Sequence, residues 1–95
     1  MNLYREKIVI PGGHVIRAKV YVMDVATKAT TGGPLSTVII TVTVPPSQRA
    51  RIPDSVPSLQ WRGATFYRRG IIVPIVALGK VDHYEITAVS EDTPG

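Results

Sequence analysis

The sequence predicts an all-β fold, a small antiparallel β-barrel of five to seven strands with long loops. Three observations carry this. Apolar residues recur with a period of two rather than 3.6. The periodic pieces are rich in Val, Ile and Thr, whose branched Cβ suits a pleated surface and loses χ1 freedom in a helix. Eight glycines and eight prolines cut the 95 residues into short lengths. Closure into a barrel follows because an open sheet this small would leave edges that invite aggregation.

The first strand is expected over Leu3 to Ile10 and ends at Pro11-Gly12-Gly13. Proline sets φ near −65° and glycine admits positive φ, so this triplet is a turn with a mechanism. Val15 to Val25 alternates cleanly: Ile16, Ala18, Val20 and Val22 on an inner face, Arg17, Lys19 and Tyr21 on an outer one. Ser36 to Val44 repeats the pattern, with Val38, Ile40, Val42 and Val44 inward. Leu59 to Trp61, Arg62-Gly63-Ala64 and Thr65 to Arg68 fit a tight hairpin or a kinked strand. Ile71 to Leu78 is apolar without alternation, and Pro74 removes a ladder donor, which places the piece at an edge or a bulge. Val81 to Val89 alternates again, with Asp82, Tyr84, Ile86 and Ala88 inward and Val81, His83, Glu85, Thr87 and Val89 outward. No helix is expected.

Two stretches break the pattern. Residues 26–35, "ATKATTGGPL", read as a polar loop, and residues 45–58, "PPSQRARIPDSVPS", as a Pro-rich one. Loops longer than about 12 residues are uncommon in compact domains and tend to serve a function. Residues 90–95 read as a frayed tail.

Length allows one domain, residues 1–95. The apolar fraction of 44% and charged fraction of 19% belong to a folded chain rather than a disordered one. The apolar run Ile71 to Leu78 is too short to cross a bilayer, so no membrane partner is expected. Charges in "MNLYREKIVIPGG" stand where a secretion signal needs its apolar stretch. The absence of cysteine excludes a disulfide scaffold and a thiol nucleophile.

Catalysis finds little support. The imidazoles are His14 and His83, neither in a metal-ligand spacing, and no phosphate-cradling or nucleophile motif occurs. Asp82 and His83 are strand neighbours, so they are expected on opposite faces, whereas His83 and Glu85 share one. No enzyme, cofactor or metal is expected.

A net charge of +4 permits a polyanion nearby. Between Arg49 and Arg69 stand five arginines and a single acid, Asp54, with Trp61, Phe66 and Tyr67 interleaved. Arginine among aromatics suits a nucleic-acid binder. The same aromatics equally suit a core, and the arginines a solvated strand end. Tyr21, Ile39 and Tyr84 exceed what a small core needs and suit an interface.

The C-terminal half carries a resemblance. Trp61, Gly63 and Phe66 or Tyr67 form a W-x-G-x-x-aromatic segment, followed by a final strand with His83, Tyr84, Glu85 and Ile86. Over about a third of the chain this resembles the head-to-tail stopper, or head-closure, proteins of long-tailed bacteriophages. The resemblance implies a structural subunit of the virion neck, assembled in the host cytoplasm. It would form a homo-oligomeric ring of six or twelve copies between portal or adaptor and the tail terminator or tail tube. Such a ring retains packaged double-stranded DNA, which its channel would contact. On that reading Lys28, Arg49 and Arg51 belong to channel or neighbour-docking loops. Tyr21, Arg68, Arg69, His83 and Glu85 are candidates for the contacts between subunits. The alternatives are a small basic nucleic-acid-binding barrel, or another neck component such as an adaptor or tail terminator.

Overall fold

A computed structural model describes residues 4–30, 33–90 and 93–94. The strands are β1 (Glu6–Ile10), β2 (His14–Thr30), β3 (Gly33–Val44), β4 (Ser58–Trp61), β5 (Ala64–Ala77), β6 (Lys80–Ser90) and β7 (Thr93–Pro94). One short helix, α1 (Pro46–Arg49), follows β3. The strand order is β2-β1-β4-β5-β6-β3-β7, and β2 also pairs with β3. That last pairing closes six antiparallel strands into a barrel, as expected, and β7 adds two residues beside Leu35 and Ser36.

The inner faces supply the core. Ile8, Ile10, Ile16, Ala18, Ile40, Val42, Val44, Leu59, Phe66, Ile86 and Ala88 are buried, every one from a strand. Trp61 is partly buried and packs on Phe66, ring centroids 5.9 Å apart and planes tilted by 52°. Tight turns tie the hairpins. Arg62 and Gly63, at φ +52° and +78°, join β4 to β5 in the doubly positive pattern that matches strand twist. Gly12, at φ +103°, follows Pro11 in the first turn, where the Gly13 amide donates to the Ile10 carbonyl at 3.1 Å.

Several expectations are corrected. Val89 is buried rather than outward. Asp82 is exposed rather than inward, because a bulge in β6 shifts the alternation at its start. Residues 26–35 are not a loop through most of their length. Ala26 to Thr30 pairs with Gly33 to Thr37, extending the β2–β3 hairpin past the barrel. The stretch lacks an apolar alternation, so hydropathy alone does not reveal this pairing. Val22 is exposed, not inward. Met23 bulges between Val22 and Asp24, and β6 pairing with β3 ends at Ile39, so no opposite wall covers that part of β2. Within residues 45–58 the chain makes the one-turn helix α1, where no helix was expected, with proline inside its first turn. Thr93–Pro94, read as frayed tail, pairs with β3, and Ser90 closes β6 and accepts the Val38 amide on its hydroxyl at 2.8 Å.

The 45–58 segment folds back onto the barrel end. Ile52 and Val56 are each 2% exposed and join the core. Turn bonds from the Arg51, Ile52 and Val56 amides to the Gln48, Arg49 and Pro53 carbonyls hold its shape. This is a plug rather than a free loop. Its chemistry predicts a contrast between two isoleucines outside regular alternation. Ile52→Ala should lower unfolding free energy by about 2–4 kcal/mol. Ile71→Ala, at an exposed site, should stay within about 0.5 kcal/mol of wild type. Urea denaturation of both variants measures this, and equal losses would show that Ile52 does not close the core.

Candidate assembly surface

The β5–β6 ribbon carries the most unusual surface. β4 pairs with β5 only as far as Tyr67, and β3 pairs with β6 only from Tyr84 onward. Beyond those points β5 and β6 have only each other. The ribbon is apolar yet uncovered: Ile71 is 74% exposed, Val76 62% and Leu78 fully exposed, with Val73 and Val81 also open. β5 gains extra residues between Arg69 and Val73, where Gly70 takes φ +72°. Pro74 follows, opposite Tyr84, so this piece combines the edge and bulge positions expected of it.

The tip is strained. Leu78 and Gly79, at φ +53° and +77°, form the two-residue turn between Ala77 and Lys80. Asn or Gly normally holds the first position, because a Cβ crowds the left-handed region. Arg62 occupies the equivalent position in the other such turn, but it is held: its guanidinium lies 4.8 Å from the Trp61 ring centroid and 3.1 Å from the Glu6 carboxylate. Leu78 is wholly exposed, so strain there is offset by no burial within the chain.

At the root of this ribbon a second bulge sits opposite Ile75 and Val76, whose partners are His83 and Val81. Asp82 is the extra residue. The bulge breaks the alternation that would separate Asp82 from His83, and the expected separation of their side chains is corrected: the His83 Nδ1–H donates to Asp82 Oδ2 at 2.7 Å. His83 Nε2 lies 3.7 Å from Glu85 Oε2, as sharing a face allows. Both ring nitrogens are thus directed at carboxylates of the same strand, an arrangement that braces the bulge.

The other predicted residues divide sharply. Arg49 is spent inside the plug. It donates to the Ile52 carbonyl at 2.6 Å, pairs with Asp54, and lies 5.4 Å from the Tyr84 ring centroid. Arg68 donates to the Asp54 carbonyl at 2.9 Å, locking the plug to β5. Arg51 is exposed and reaches the Val15 carbonyl at 3.4 Å. Arg69 is exposed on the outer face of β5 opposite Thr87. Tyr21 is 65% exposed on β2. The Lys28 backbone pairs with Leu35, and its side chain lies outside the described residues. The structure therefore brings Arg49 and Arg68 together, and His83 with Glu85, while Arg51, Arg69 and Tyr21 stand apart from them.

Sequence reasoning missed Glu6. Trp61 Nε1 donates to its carboxylate at 2.8 Å and Arg62 Nε at 3.2 Å. The indole hydrogen bond, and then the Arg62 charge, hold the Glu6 carboxyl below its ordinary value of 4.5 against an opposing desolvation. No spacing signal links residues so far apart in the chain. Among the described residues no group of His, Asp or Glu is arranged to hold a metal ion, and no helix is long and apolar enough to cross a membrane.

Comparison with family models, with curated proteins and with solved structures finds no match to this chain.

Two outcomes follow from these contacts. Arg49→Ala should loosen the plug, lowering stability by about 1–3 kcal/mol, whereas Arg51→Ala should change it by less than about 0.5 kcal/mol. Thermal melts with limited proteolysis of the 45–58 segment measure both, and a silent Arg49→Ala would remove its bracing role. Because the folded Glu6 pKa is depressed, its contribution is present above the unfolded value and lost as pH falls through the folded one. Melting temperature should therefore fall between about pH 5 and pH 3 more steeply in wild type than in Glu6→Gln. Parallel profiles would show that the Trp61–Glu6–Arg62 contact does not feed stability.

Proposed function

We propose that this protein is a structural subunit of an assembly, of the head-to-tail stopper kind that its C-terminal half resembles. The observation that supports this reading is the β5–β6 ribbon. A two-stranded ribbon is marginal alone in water, and one that exposes Ile71, Val73, Val76, Leu78 and Val81 gains stability when a neighbour covers it. The occupant on this reading is a second copy of the chain, in a heterologous contact that closes into a ring. Pro74 blunts the outer edge of β5, which disfavours indefinite strand addition and leaves side-chain faces for docking. Leu78 fits the same account, since a strained, uncovered leucine has no benefit to the isolated fold. In the neck, the ring would sit between portal or adaptor and the tail, and help retain packaged DNA.

The test is genetic and structural together. Deleting the gene from the phage that carries it should leave DNA-filled or leaky heads beside finished tails in electron micrographs. Wild-type protein should restore joining, and the folded Val76→Asp/Leu78→Asp variant should not. Normal tailed particles after deletion would sink the neck assignment. Rescue by the double variant would sink the ribbon's part in it. A companion measurement separates stability from docking: Leu78→Asn should raise unfolding free energy by about 0.5–1 kcal/mol while weakening assembly. A variant both more stable and fully competent would show that the leucine serves no contact.

A further inference from the structure

The outer wall formed by β1 and β2 holds a charge arrangement that the fold does not need. Lys7 and Arg17 are direct cross-strand partners. Like charges placed opposite one another destabilise a sheet. Lys19 follows Arg17 two residues on, on the same outward face, since Ile16 and Ala18 point into the core. Arg51 reaches the Val15 carbonyl on the same strand from the plug, where β2 has no partner on its second edge. All four side chains are exposed.

The four acids whose side chains are described are engaged away from this stripe. Glu6 serves Trp61 and Arg62, Asp54 serves Arg49, and Asp82 and Glu85 serve His83. Arg17 donates to the Arg5 carbonyl at 3.3 Å. The stripe then runs into Tyr21, two residues beyond Lys19 on the same face and 65% exposed. A cluster of four cations, Arg17 and Lys19 along β2 with Lys7 beside Arg17 and Arg51 at Val15, ends at an open aromatic ring and matches the two requirements for a single nucleic-acid strand: charge along its backbone and a platform on which a base stacks. The wall is the convex outside of a barrel, which a flexible strand can follow and a stiff duplex touches only briefly.

We propose that the β1–β2 wall, through Lys7, Arg17, Lys19, Arg51 and Tyr21, binds single-stranded nucleic acid without sequence preference. This does not rest on the assembly reading, which uses a different part of the molecule, so either can fail alone. The experiment titrates the intact protein into fluorescein-labelled oligothymidylate of about 15 nucleotides, and into a duplex of equal length, across a range of salt. Wild type should bind the oligothymidylate more tightly than the duplex, with affinity falling as salt rises. Lys7→Gln/Lys19→Gln should weaken binding at least roughly tenfold at low salt and lower the log–log salt slope by about 1.4, near 0.7 for each phosphate contact removed. Tyr21→Ala should weaken oligothymidylate binding roughly tenfold and leave the salt slope unchanged. Lys80→Gln, a cation at the far ribbon tip, should bind as wild type. Absence of binding at about 50 mM salt would overturn the proposal. So would a Lys80→Gln loss equal to that of a wall lysine, which would reduce the effect to net charge. Duplex binding as tight as the single strand's, with Tyr21→Ala silent, would overturn the single-strand assignment. Melting curves for each variant confirm that the wall remains folded.

Discussion

The whole structure depends on long strands that change partners along their length. β2 pairs with β1 over His14–Ala18 and with β3 from Lys19 onward. β5 leaves β4 at Tyr67 and continues with β6 alone. β3 is shared by β2 and β6 only over Ile39–Thr43. This stagger is how a few strands close a cylinder, since closure requires each to be offset from the next. It fixes where the core lies: only the overlapped middle of each strand has an opposite wall. Ala18, fully buried where β2 changes partners, is the small side chain that such a corner tolerates. The stagger also fixes what remains outside. β3 and β6 are antiparallel, so Gly33 at the start of β3 and Lys80 at the start of β6 lie towards opposite ends of that pair.

The inner faces were legible because burial on one side and water on the other impose a period of two. Ile16 and Ala18, or Ile40, Val42 and Val44, declare their direction without any neighbour being known. Turn chemistry was legible for the same local reason at Pro11-Gly12 and Arg62-Gly63. What escaped were features set by a partner strand. The β2–β3 extension is built from Ala, Thr, Lys, Gly and Pro with no alternation of apolar residues, so it left no hydropathy pattern. Asp82 meets His83 because one extra residue in β6 cancels an alternation that the sequence otherwise presents without a break. The plug hides its core contribution in a Pro-rich stretch, where Ile52 and Val56 stand among prolines and charges with no periodicity to mark them.

The same limits applied to the arginines. Composition marked the stretch from Arg49 to Arg69 as basic, but position decides what each cation can do. Arg49 and Arg68 satisfy carbonyls of the plug and a carboxylate, so their charge is consumed in closing the barrel. On the β1–β2 wall, by contrast, strand pairing sets Lys7 against Arg17, with both side chains exposed. That juxtaposition is invisible in a linear scan, since the two residues are ten apart and belong to different pieces. A basic stretch in sequence and a basic surface in space are different objects.

Two turns of the same type show how strain separates structure from contact. Both place a residue with a side chain at positive φ ahead of a glycine. At Arg62 the residue returns the cost by stacking on Trp61 and pairing with Glu6, and the turn becomes a tether between β1 and β4. At Leu78 the side chain touches nothing that shields it from water, at the end of a ribbon whose flanking residues are also apolar and open. Strain with local compensation needs no further explanation. Strain joined to an uncovered apolar surface has no local compensation, and the contact proposed above would be what covers it.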